Sequence, residues 1–89
     1  MWTVIHTKRF AKGLATMQKR GNDIASAERA IAYMQKHGQA ESRAHPHKLT
    51  GVWEGYWESH IGFDWLLIYT ITSKTITLWR TGTHEDLFG

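Results

Sequence analysis

The sequence predicts an α+β fold, a two-helix hairpin packed on a small antiparallel sheet, in the order β-α-α-β-β-β. Three observations predict it. Apolar residues recur with helical period along two stretches joined only by Gly21-Asn22. Three stretches rich in β-formers follow between Val52 and Trp79. One polar segment, Gln39–Leu49, is the only long connection between the two groups. With 89 residues, the whole chain, 1–89, is expected to form one domain.

Trp2-Thr3-Val4-Ile5-His6 reads as a short first strand. From Thr7 the period changes. Phe10, Leu14 and Met17 fall at i, i+4 and i+7, with Thr7 as N-cap and Lys19-Arg20 suited to the negative end of a helix before Gly21. A second helix starts near Asn22 or Asp23 and carries Ile24, Ala27, Ile31 and Met34 on one stripe, ending at Gly38. Met17 and Met34 read as core filler. The first strand of the C-terminal half is expected over Val52–His60, where Gly55 suggests a bulge or a close approach. Trp65–Ile71 is apolar on both parities, as a central strand requires, and Thr75–Trp79 alternates.

Turns fix what these strands bring together. With Ser73-Lys74 as one turn, Thr72 opposes Thr75 and Tyr69 opposes Leu78. Counting on puts Asp64 opposite Thr83, beside His84. With Gly62-Phe63 as the other turn, Ile61 opposes Asp64 and His60 is one step away. His60, Asp64 and His84 therefore gather at one edge of the sheet. Two histidines suffice for RNA cleavage. One takes the proton of a ribose 2′-hydroxyl as it attacks the adjacent phosphorus, and the other protonates the leaving 5′-oxygen. Arg80 is the nearest cation in sequence for the charge that builds on phosphorus. Asp64 is suited to fixing a histidine tautomer and raising its basicity, or to taking a proton itself. His45, His47, His60, Asp64 and His84 also have the chemistry of Zn²⁺ ligands, but no pair shows the i, i+4 spacing of helical zinc motifs. His6, His37 and His45 read as polar surface.

Charge divides the chain. Residues 1–50 hold nine Lys/Arg against three acids, whereas residues 51–89 hold two against five. The basic half points to a polyanionic partner. Lys8, Arg9, Lys12 and Lys19, with Arg20, would form its helical face. The absence of cysteine excludes disulfides and thiolate metal sites, and no apolar run is long enough to cross a membrane. Without a signal-peptide pattern, the expected location is the cytoplasm.

One stretch resembles a known family. His47, Leu49, Gly51, Trp53, Gly55, Glu58 and His60, then Asp64, Trp65, Leu67, Ile68 and Tyr69, then Arg80 through His84, Leu87 and Phe88, carry the spaced signature of the YafQ branch of the RelE/ParE-type toxins. The match covers residues 47–89. The resemblance implies a RelE-like fold and a metal-independent, cofactor-free endoribonuclease (an mRNA interferase) that cuts mRNA on the 70S ribosome and so inhibits translation. It implies catalytic roles for His47, His60, Asp64, His84 and Phe88. His47 and His60 would be base candidates, His84 the general acid, Asp64 an orienting carboxylate, and Phe88 a positioning group. It also implies an acidic cognate antitoxin, DinJ/RelB-like, in a hetero-oligomeric complex. One position departs from the family: Trp57 stands where Arg is common. An aromatic that stacks on a base replaces a cation that touches phosphate, which leaves Arg80 and Lys48 for that task. Alternatives are a gyrase poison of the ParE kind, a metal-dependent nuclease using the histidines, and a non-catalytic RNA-binding module.

Overall fold

The computed structural model describes residues 1–89. Five strands and three helices follow in the order β1 (Thr3–His6), α1 (Lys8–Lys19), α2 (Ile24–His37), β2 (His47–Lys48), β3 (Trp57–Gly62), β4 (Trp65–Thr72), β5 (Thr75–Gly82) and α3 (His84–Phe88). One sheet holds all the strands in the order β1-β5-β4-β3-β2. The expected antiparallel sheet is in fact mixed, because β1 runs parallel to β5. The helical hairpin returns the chain over the sheet, so the first strand enters beside the last in the same direction. Parallel neighbours need such a crossover.

The helix ends follow local chemistry. Thr7 Oγ1 accepts from Phe10 N at the start of α1, and Asp23 Oδ1 accepts from Ala25 N at the start of α2. Gly38 closes α2 in the left-handed region, its N–H donating to Met34 O. A Cβ at Gly38 would overlap the Trp2 indole, so this position excludes side chains twice over.

The α1–α2 hairpin covers one face of the sheet. Phe10 and Met34 are buried there against Leu67, Tyr69, Ile76 and Leu78, while Met17 and Ala27 enclose Trp65. Each such side chain contributes about 1.5–3 kcal/mol by leaving water. The opposite face holds a smaller cluster: Leu66, Ile68 and Leu87, roofed by Leu49, Trp53 and Tyr56. Residues 66–69 of β4 have no exposure, as their apolar run on both parities anticipates.

Three sequence expectations shift. The polar connection is not featureless: a 3₁₀ turn, Ser42–Ala44, precedes β2, which pairs with β3. The expected strand over Val52–His60 begins only at Trp57, because Gly51–Trp53 form a second 3₁₀ turn. Gly55 marks neither bulge nor close approach. It has φ +94° with open space around it, and lies in the turn that feeds β3.

Candidate active site

The edge formed by β2, the β3–β4 turn and α3 gathers the histidines. His47 is the register partner of Glu58 across β2 and β3. His60 lies two residues beyond Glu58, hence on the same face of the strand. Glu58, only 5% exposed, sits between them: its Oε1 is 3.5 Å from His47 Nε2 and 3.8 Å from His60 Nε2. His47 Nδ1 lies 3.1 Å from the His45 carbonyl oxygen, to which it donates, and this fixes the ring.

His84 arrives from the other side. It is the first residue of α3, whose capping box joins Thr83 and Asp86: Asp86 N donates to Thr83 Oγ1, and Thr83 N donates to Asp86 Oδ2. Asp64 holds His84 at two points. Asp64 Oδ1 accepts the His84 backbone N–H at 3.0 Å and faces His84 Nδ1 at 2.6 Å. These bonds, the backbone one first, hold the Asp64 carboxyl below the usual carboxylate range. With Nδ1 occupied, His84 Nε2 is left for a substrate. The His60 and His84 rings stand 6.3 Å apart with planes at 63°.

Two irregularities set this geometry. A bulge in β5 lets Tyr69 face Leu78 while Ile68 faces Arg80, so Trp79 is the extra residue. The simple count from the Ser73-Lys74 turn is correct up to Tyr69 and Leu78, then falls one short, and the bulge moves His84 rather than Thr83 onto Asp64. A second irregularity lies between His60 and Gly62. The turn is therefore Phe63-Asp64 rather than Gly62-Phe63, with Gly62 opposite Trp65 and Asp64 at φ +47°. Beneath the rim, Trp65 Nε1 donates to Thr81 Oγ1, which donates to Leu66 O, a satisfied buried relay tying β4 to β5.

Phe88 lies one turn after His84 on α3, with ring centroids 6.3 Å apart, and Trp53 braces it edge-on at 5.8 Å. Its half-exposed ring is part of the rim. The two cations assigned to phosphate have other partners. Lys48 Nζ sits 5.6 Å from the centre of the Trp57 ring, and Trp57 in turn stacks on Tyr69. Arg80 donates to the Asp86 carbonyl oxygen at 3.4 Å. No hydrogen bond or ion pair joins either cation to the histidines. Arg20 is an ion-pair residue, bound to Asp86, whereas Lys8, Arg9, Lys12 and Lys19 are exposed and form no ion pair. His6 packs on Phe10 and His37 on Tyr33, away from the rim, but His45 stands 6.2 Å from His60.

Glu58 and Trp53 lie beside the rim residues, and the sequence reading quotes both in the family signature but gives neither a role. The Glu58-x-His60 alternation carries the signal for the first, since i and i+2 share a strand face. Nothing local predicts Trp53 under Phe88. No group of three His, Asp or Glu side chains is placed to hold one metal ion. No helix is long and apolar enough to cross a membrane.

Known proteins share this fold. The profile of a family described as "Bacterial toxin of type II toxin-antitoxin system, YafQ" matches residues 2–89. The mRNA interferase toxin YafQ of Escherichia coli (strain K12) is 33% identical over 87 residues, covering 94% of this chain and 92% of that protein. The solved E. coli DinJ–YafQ complex contains a chain that superposes with a TM-score of 0.88 at 30% identity, all of both chains being covered. A copper-bound point-mutant toxin from Helicobacter pylori gives 0.89 at 27% identity, over 99% of this chain and 100% of that one. Fold and sequence thus agree, and the chain belongs to the YafQ toxins of bacterial type II toxin–antitoxin systems.

Proposed function

We propose that this toxin is an mRNA endonuclease that works on the ribosome by metal-independent general acid–base chemistry, and that a cognate antitoxin restrains it. The observation that carries the reading is the His84–Asp64 pair facing His60 across 6.3 Å between rings. His60 or His47, both held against the Glu58 carboxylate, takes the 2′-hydroxyl proton as that oxygen attacks phosphorus. His84 Nε2 gives a proton to the leaving 5′-oxygen, while Asp64 keeps Nδ1 protonated and the ring oriented. Each transfer is worth about 10²–10⁴-fold. Phe88, braced by Trp53, offers a face for an adjoining base or ribose. The relative named an mRNA interferase supports the substrate, and the DinJ–YafQ complex supports the partner.

Induced expression with mapping of mRNA 5′ ends tests this reading. Discrete new ends on translated messages are expected, and none from His84→Ala. Intact messages at full ribosome occupancy would leave only RNA binding. DNA damage with intact messages would favour a gyrase target. Copper-bound and metal-bound toxins occur among the structural neighbours, which favours a second, metal-assisted reading. Cleavage that persists in EDTA eliminates it.

A further inference from the structure

Arg9, Lys12 and Arg80 line one cleft of about 360 Å³ between α1 and the end of β5, and no apolar residue lines it. Gly13, Thr16, Thr81 and Asp86 complete its wall. None of the three cations has an acidic side chain within ion-pair distance. Asp86 is the only acid in the wall, and its charge is already engaged. Arg20 binds both of its oxygens, at 2.7 and 3.1 Å, and Thr83 N–H takes a further share. Without Arg20, Asp86 would neutralise the cleft from within. With Arg20, three like charges face one polar space with no internal counter-ion, an arrangement that costs the free protein stability and favours an anion.

We infer that this cleft is a second phosphate site, which holds a backbone phosphodiester of bound RNA away from the scissile one. The inference rests on the RNA-directed reading above and gives Arg80 a different task from the one its sequence position suggests. It grips the strand rather than the reacting phosphorus. Four Cα–Cα steps lead from Arg80 to His84, at most about 14 Å of chain, so one strand can touch both cleft and rim. Guanidinium groups suit a phosphodiester because they donate two parallel hydrogen bonds.

Two measurements test the cleft itself. Inorganic phosphate, titrated into ¹⁵N-labelled toxin, is expected to shift the Arg9 and Arg80 Nε–H and the Gly13 amide. Shifts confined to His60 and His84 would overturn the proposal. A single-stranded oligodeoxynucleotide, which lacks the attacking hydroxyl and stays uncut, serves as the polyanion probe. Arg9→Ala with Lys12→Ala is expected to weaken its binding about tenfold and to flatten the salt dependence by about 0.7 for each phosphate no longer neutralised. An unchanged salt slope with a folded variant, together with unchanged affinity for ribosomes, would also overturn it. In mRNA cleavage the loss should fall on KM rather than kcat, whereas a kcat effect alone would place these cations at the reacting phosphorus and refute the inference. If the weakening appears only with ribosomes, the phosphate belongs to ribosomal RNA; if it appears with free oligonucleotide too, it belongs to the substrate strand. Should the wild-type toxin cut no message yet still bind the oligonucleotide through this cleft, the nuclease reading fails and the site stands.

Discussion

Arg20, at the end of α1, grips Asp86 in α3 with both guanidinium Nη atoms, at 2.7 and 3.1 Å, across 66 positions of sequence. Asp86 is also the capping-box acid that starts α3. A five-residue helix has almost no stability of its own, so its orientation depends on such contacts. Arg20→Ala is expected to loosen α3 and to lower kcat several-fold, while binding of mRNA-loaded ribosomes changes less. Arg20→Lys should restore part of kcat. Equal kcat in Arg20→Ala and wild type would show that α3 stands without the bridge.

The same pair sets an acid limit. Arg20 and the Thr83 N–H hold the Asp86 carboxyl far below its ordinary value, and His84 holds Asp64 below its own. A carboxyl depressed by folding contributes stability above its unfolded value, near 3.9, and loses it as pH falls towards the folded one. Melting temperature is therefore expected to be flat on this account down to about pH 4 and to drop below it. Asp86→Asn should melt lower at neutral pH but lose less on acidification. Parallel curves for the two proteins would contradict the assignment.

Glu58 is buried between two histidines and reachable by both. Glu58→Gln keeps the shape and removes the charge. Its kcat is expected to fall about tenfold or more, with a displaced pH–rate profile, because both base candidates lose their orienting carboxylate. An unchanged profile would reduce Glu58 to a packing residue.

His84 and Asp64 separate chemistry from folding. The His84 side chain is 58% exposed, so His84→Ala should stay folded, losing only the side-chain contact to Asp64 while the backbone one remains. Its cleavage rate should fall by about 10²–10⁴. Asp64→Asn should lie between this variant and wild type, because the amide oxygen still accepts from Nδ1–H but carries no charge.

Ser73 and Lys74 both occupy the left-handed region, at φ +45° and +64°. A two-residue hairpin turn of this kind favours Asn-Gly. Replacing Ser73-Lys74 by Asn-Gly should stabilise the fold by about 1–2 kcal/mol, read as a higher melting temperature, with cleavage unchanged. The turn is remote from the rim, at the opposite end of β4 and β5.

The helices are the most legible part of the sequence. Thr7, Asp23 and Gly38 each state a boundary through local chemistry, and the apolar period states the buried face. The convergence of His60, Asp64 and His84 is legible because the Ser73-Lys74 turn fixes the β4–β5 register near Tyr69. Beyond that point legibility fails for one reason, that bulges carry little sequence signal. Neither Trp79 nor the segment around Ile61 looks different from regular strand. The parallel pairing of β1 is hidden because partner choice across a crossover depends on how the hairpin packs. The short β2, and with it the approach of His47 to Glu58, reads as loop because two residues beside Pro46 show no periodicity. Family likeness supplies roles for His47 and Phe88, whereas Trp53 stands in the signature without one.

The β5 bulge makes the two arms of the hairpin unequal. From the matched pair Tyr69–Leu78, the chain takes five residues to reach Asp64 on one side and six to reach His84 on the other. The site is thus written as an inequality of lengths as well as a choice of side chains. Substitution at Trp79 leaves that count intact, whereas deleting a single residue there would equalise the arms and turn His84 away from Asp64 with every rim histidine still present. Tolerance in this toxin should therefore follow frame along the hairpin more closely than composition, and length variants of β5 should be far rarer among active relatives than sequence variants.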